Sequence, residues 1–357
     1  MLVGHRSLVF LAFASAMVAC AAPPPPPPPP KPVVVVGPPT DTARIPLTDL
    51  LARTYYGNAG GLYPGGINQP PPDHDSAAKA RRNSIKPLDV NGDESPFGKY
   101  VLISIGMSNA TQEWCSQSSG PPCVAWSFMG KAAADPTVNH YTLVIVNGAA
   151  DGQDAPAWTS PSSPNYDRIK VARLAPLGLS ENQVQAAWVK VDDPKPTVSL
   201  PADSADANIL LTNLGLVMRA LRMRYPNLRL VFVSSRTYGG YATIDLNPEP
   251  YAYESGFSVK WLIESQINEM RGQPANPRVG TLDYTKKASP LIIWGPYIWA
   301  DGPVPRSDGL FWLRNEFEED GTHPSQSGES KVADRLLDFF KNSPYTRCWF
   351  VTSSYCL

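Results

Sequence analysis

Histidine is scarce in this chain. Four occur in 357 residues, at positions 5, 74, 140 and 323. His74, His140 and His323 show no spacing that suits a shared metal ion, so no metal is expected. Cysteine is also sparse. The five cysteines include no C-x-x-C pair and have no nearby histidine, which leaves zinc as the weak reading of them. An excess of charge is missing too. Lys and Arg number 31 against 32 Asp and Glu, a net charge of -1, which gives no electrostatic reason to expect nucleic acid. The apolar stretch from Leu8 to Val18 is too short to span a bilayer. No internal repeat is present.

Proline and tryptophan are the surplus, with 39 and 9 residues. Many prolines stand near the start. His5-Arg6 and the Leu8–Val18 stretch read as an export signal, ending at Met17-Val18-Ala19-Cys20. These four residues resemble a bacterial lipobox, with Met17 where leucine is usual, which makes Cys20 the lipidation site. Cleavage after an alanine, with Cys20 incidental, is the alternative. Pro23 to Pro30 follow as a polyproline II spacer between lipid and domain. The expectation is a signal peptide over 1–20 and a linker over 21–40. The protein is then exported, to the bacterial periplasm or outer membrane, and its partner is the membrane that holds the anchor. Cys115, Cys123, Cys348 and Cys356 are an even set in an exported chain and predict disulfides. Of three connectivities, Cys115–Cys123 with Cys348–Cys356 is the simplest.

Residues 41–98 are rich in glycine, proline and polar side chains and read as a structured extension lying over a domain. The domain spans 99–345, and 346–357 form a tail. Apolar runs at Val101–Ile105, Tyr141–Val146, Leu228–Val233 and Leu291–Trp294 predict four buried strands. Leu210, Leu214, Val217 and Leu221 share a helix face, and Pro226 ends that helix. Val259, Ile263 and Ile267 mark another helix, and Val332, Leu336 and Phe340 the last. Strands alternating with helices predict a mostly parallel sheet covered on both faces, with ligands at the carboxyl ends of the strands.

Those ends carry the chemistry. Gly106-Met107-Ser108-Asn109 places a serine in the turn after the first strand, where a helix start offers N–H groups to an oxyanion. As an alternative, Ser108 is only an N-cap. Asn147 to Asp154 bring Gly148 and Gly152 to the second strand end, where backbone amides can approach a ligand. Arg236 and Tyr238 follow Val233 and suit a hydroxylated or carboxylate substrate; a structural ion pair is the plain alternative. Trp299, in a Trp-Tyr-Trp cluster, suits a sugar ring or core packing. Asp320 lies three residues before His323, just ahead of the final helix, which suits a carboxylate orienting a base. His74 reads as a solvated loop histidine or a wall of the site.

Together these blocks resemble the SGNH hydrolase superfamily, the GDSL-type esterases, over roughly residues 99 to 343. Gly106–Asn109 is similar to the Gly-Gln-Ser-Asn form of its carbohydrate acetylesterases, and Asp320-Gly321-Thr322-His323 to its last block. The resemblance implies a flavodoxin-like three-layer α/β/α fold and a Ser108–His323–Asp320 triad. It implies hydrolysis of an O-acyl, foremost O-acetyl, ester on a small molecule or glycan without a cofactor. It places oxyanion donors at Ser108 and at Gly152 or Gly148. The family's third donor is an asparagine after the third strand, and none stands after Val233; Asn109 or Arg236 is the substitute. Tyr238 and Trp299 are then substrate contacts. A lipid or aryl ester hydrolase, and a non-catalytic glycan-binding lipoprotein on a degenerate hydrolase fold, are the rival readings.

Overall fold

The structure, a computed structural model, describes residues 41–352. Cys20, the proline tract and Cys356 lie outside the described residues. Five strands form the main sheet: β1 (Tyr100–Gly106), β2 (Leu143–Val146), β3 (Val184–Lys190), β4 (Leu230–Val233) and β5 (Leu291–Trp294). Their order is 2-1-3-4-5 and every pairing is parallel. This is the flavodoxin-like order, in which the winding reverses between β1 and β3. The crevice at that reversal is where such sheets take ligands.

Strands buried on both faces need apolar residues at nearly every position. β1 is buried from Val101 to Gly106, and all of β4 and β5 is buried. Side chains alternate between two cores. Ile103, Ile105, Val189, Val231 and Val233 point to one core, with buried residues of α4 (Asp206–Arg224) and α5 (Tyr251–Met270). Leu102, Trp188, Phe232 and Ile293 point to the other, under α3 (Phe128–Ala134) and α6 (Gln326–Asn342).

The sheet corrects the strand reading. β3 was absent from it, so the strand after β2 is Val184–Lys190 and the Leu230–Val233 strand is the fourth. The loop that corresponds to the third strand end is therefore Val191 to Pro194, which holds Asp192 and Asp193 and no asparagine.

The extension has no core of its own. Leu47, Leu50, Tyr55 and Tyr63 join one core, and Ala78 and Ile85 the other. His74 is neither solvated nor in the cleft. It lies in α1 (Pro72–Asn83), 4% exposed, with Nε2 2.9 Å from the Ile292 carbonyl. Ile292 also donates its N–H to Gln266 Oε1 at 2.8 Å. Two side chains thus satisfy the open edge of β5, which would otherwise invite another strand. Cys115 and Cys123 are joined as a disulfide, which takes both sulfurs from any metal. Cys348 is disulfide-bonded as well.

Candidate active site

The position of Ser108 follows from a close approach. At Gly106, the last residue of β1, an added Cβ would lie 2.4 Å from the Lys190 carbonyl oxygen and 2.5 Å from Ala110 Cβ. Glycine there lets β1 run tight against β3 and turn at once into α2 (Ser108–Trp114). Ser108 is the first residue of α2, so its N–H has no acceptor within the helix.

His323 reaches Ser108 from the loop ahead of α6. Ser108 Oγ and His323 Nε2 are 2.9 Å apart, and His323 Nδ1 and Asp320 Oδ2 are 2.5 Å apart. A carboxylate only accepts, so Nδ1 carries the proton and Nε2 accepts from the serine hydroxyl. The other Asp320 oxygen accepts from the amides of Thr322 at 2.8 Å and His323 at 2.9 Å. Burial alone would raise the Asp320 carboxyl. The bonds from the His323 ring and the two amides outweigh burial and hold it below the ordinary value. Gly321 makes this turn possible: its φ is +69°, and a Cβ would sit 1.8 Å from the Tyr241 carbonyl oxygen. The Thr243 amide donates to the Asp320 carbonyl at 2.9 Å and docks the turn.

Asn109 links the two halves. Its Nδ2 donates to the Thr322 carbonyl at 2.8 Å, and its Oδ1 accepts from Arg236 Nη1 at 3.0 Å. Beneath it, Glu113 of α2 pairs with Lys190 of β3, both essentially unexposed. Burial raises Glu113 and pushes Lys190 down to about 8.

A cavity of about 620 Å³ opens over the pair, lined by Ser108, His323, Gly152, Arg236, Met107 and Leu246 among others. Several expected contacts are corrected. Gly148 is buried and its N–H is spent on Ser104 Oγ at 3.1 Å, so it offers nothing to an oxyanion. Asn109 lines the cavity and spends one of its two side-chain N–H donors on the Thr322 carbonyl. Trp299 is 0% exposed and donates Nε1 to Glu249 at 2.8 Å, so it is core and meets no substrate. Tyr238 packs against Trp299 and Tyr241 and is absent from the cavity lining. Gly152 is exposed and faces the cavity. Arg236 lines it too, but is 3% exposed. The lining also includes Gln112, Asp154, Asp193 and Asn247, which the sequence reading did not single out. Recognising β3 would have pointed to Asp193. Gln112 stands one turn beyond Ser108 on α2, a spacing that places it on the same helix face.

Fold and site define a doubly wound α/β protein with a hydrogen-bonded serine, histidine and aspartate at the carboxyl end of its sheet. No family model and no curated protein matches the chain. Solved structures similar to it include an extracellular lipase from Streptomyces rimosus, at 15% identity and a TM-score of 0.33, covering 67% of this chain and 98% of that one. A GDSL-like lipase from Bacteroides thetaiotaomicron is similar at 10% identity and a TM-score of 0.34, covering 74% and 94%. A carbohydrate esterase family 2 enzyme from Corynascus thermopiles, with its carbohydrate binding domain, is similar at 10% and 0.33, covering 69% and 68%. Scores of this size carry no argument about activity, and the functional reading rests on geometry.

Proposed function

We propose that this chain is a serine ester hydrolase of the SGNH superfamily that removes short O-acyl groups, acetyl foremost, from a carbohydrate. The observation that carries the reading is the unbroken line of hydrogen bonds from Ser108 through His323 to Asp320, opening into a cavity. Ser108 Oγ attacks the ester carbonyl while its proton passes to His323 Nε2. The N–H groups of Ser108 and Gly152 hold the oxyanion. His323 returns the proton to the leaving alcohol, and the acyl group stays on Ser108. A water then gives its proton to His323 and attacks the acyl-serine; the acid leaves as His323 returns that proton to Ser108 Oγ. Asp320 keeps Nδ1 protonated and stabilises the imidazolium that forms in each half. Acyl transfer by this route needs no cofactor.

The family's third oxyanion donor has no asparagine to supply it. The loop after β3 offers Asp192 and Asp193 instead, and Gln112 is the cavity-lining amide nearest Ser108 in sequence after Asn109. Loss of one such donor costs about 10²–10³ in turnover, so a slow enzyme is the expectation. The residue types of the lining support a polar alcohol. Met107, Leu246 and Pro194 are its apolar side chains, and amides and carboxylates make up much of the rest. Buried Trp299 removes ring stacking by that residue as an argument for sugar. The polar lining and the Gly106–Asn109 block are what support it.

The test is hydrolysis of p-nitrophenyl acetate and of an acetylated oligosaccharide by wild type and by Ser108→Ala. The expected result is turnover of both esters, reduced about 10³-fold or more in the variant. A wild type that leaves both esters intact would sink the proposal. Faster cleavage of a long-chain than of an acetyl ester would replace the carbohydrate reading with the lipid one.

A further inference from the structure

The cavity beside Ser108 is acidic. Asp151, Asp154, Asp193, Glu318 and Asp320 line it, against Arg236 and His323. Arg236 is already bonded to Asn109 and lies among Asp192, Glu113, Asp320 and Glu249, and His323 is bonded to Asp320.

Asp193 is the unusual member. It is 5% exposed, and its Oδ2 is buried without a hydrogen-bond partner. Its Oδ1 accepts from Asn213 at 2.6 Å. Burial, with Asp154 and Asp206 nearby and only the Asn213 bond pulling the other way, pushes its carboxyl up to about 6. No cation is among the groups that act on it. Asp154, on the loop that carries Gly152, is likewise raised by burial against backbone bonds, again with no cation. Asn247 completes this part of the lining. It is 3% exposed, its Nδ2 donates to the Asp193 carbonyl at 3.0 Å, and its Oδ1 has no partner.

The unmet groups here are therefore acceptors. Asp193 Oδ2 and Asn247 Oδ1 line one cavity with no donor supplied by the fold, and the Asp154 carboxylate stands on the same lining with backbone bonds alone. Leaving such buried acceptors unmade is costly, and two carboxylates on one lining, near enough for Asp154 to raise Asp193, favour a positive charge beside them. A protonated primary amine supplies both charge and three N–H donors. A sugar hydroxyl supplies a donor without the charge.

We propose that this acidic wall binds a protonated amino group on the alcohol part of the ester, so that the substrate is an O-acylated amino sugar with a free amine. The same wall disfavours uronates and other anionic esters. The proposal rests on the ester-hydrolase reading for the word substrate, but its binding test does not depend on turnover. Calorimetric titration of the protein at neutral pH with a glucosamine oligosaccharide and with its N-acetylated counterpart separates charge from sugar shape. The cationic sugar is expected to bind at least about tenfold tighter. Asp193→Asn and Asp154→Asn are each expected to narrow that ratio, and both remove a charge rather than a packed side chain. Equal affinities in the wild type, or a ratio unchanged in both variants, overturn the proposal. Turnover of p-nitrophenyl acetate by the same preparations judges the esterase separately. Turnover with equal affinities removes the amine site alone, and charge-selective binding without turnover removes the esterase alone.

Discussion

Asn109 is next to Ser108 in sequence and next to the His323 loop in space. Its two bonds, to Thr322 and to Arg236, fix how far the His323 loop stands from the start of α2. Both bonds run to groups around the Ser108–His323 pair, so it acts as a positioning residue. Asn109→Ala leaves the Thr322 carbonyl and the Arg236 guanidinium without these partners. Small misplacements of a catalytic pair are expensive, reaching about a hundredfold for an ångström. The variant is expected to lose kcat on p-nitrophenyl acetate by about tenfold or more with little change in KM. A fall in KM affinity at unchanged kcat would assign Asn109 to substrate binding instead. The three hydrogen-bonded side chains were legible in sequence because each stands in a local signal. Asp320 and His323 share one turn, and Ser108 follows a strand whose every residue is apolar or small. What was not legible is the state of a donor. The Gly148 amide is taken by Ser104, 44 residues away, and nothing in the glycine's own surroundings announces that.

Among the elements, β3 and α2 are held by a charge pair out of water. Glu113 and Lys190 are 0% and 1% exposed. Removing one partner of such a pair strands the other, at a cost of about 3–5 kcal/mol, whereas replacing both by apolar side chains is often neutral. Lys190→Ala is therefore expected to lower unfolding stability by about that amount in urea titration, and Glu113→Leu with Lys190→Met to recover most of it. A Lys190→Ala protein as stable as wild type would show that the pair is not what joins these elements. The same residues explain why β3 escaped the sequence reading. It runs Val-Gln-Ala-Ala-Trp-Val-Lys, with a polar residue near each end. Gln185 is satisfied by both backbone groups of Lys86 and Lys190 by Glu113, partners that only the fold supplies. The aromatic cluster after β5 failed for a related reason. A tryptophan carries the same apolar area whether it faces sugar or core, and Glu249 decides the matter for Trp299.

Across the whole molecule, buried carboxyls set the response to pH. Burial is the first cause in pushing Asp192 up to about 8, Glu254 and Glu329 to about 7, and Asp193 to about 6. Each keeps its proton in the folded chain above the pH, about 4, at which the unfolded chain releases it. The stability they contribute is fully present below that point and is lost as pH rises through the folded values. His74, lowered by burial, works the other way as one group against four. Lys190 opposes the fall only above about 8. Carboxyls held down to about 2, such as Asp135 and Asp283, lose their contribution only in stronger acid. Calorimetry is expected to show Tm falling between about pH 5 and pH 8, with Glu254→Gln flattening the part of the fall below pH 7. A Tm that rises across this range contradicts the assignment.

Ser108 and His323 are 215 positions apart, one after the first strand of the sheet and the other ahead of the last long helix. At roughly 5–20 residues per second, a ribosome makes the serine about 10–40 s before the histidine. In that interval the nascent chain holds Ser108 without His323, its hydrogen-bond partner. A chain stopped before residue 323 lacks both His323 and α6, which covers one face of the sheet. Under the proposed mechanism, Ser108 gains its proton acceptor only after residue 323 has been added, so activity and completion of the fold arrive together.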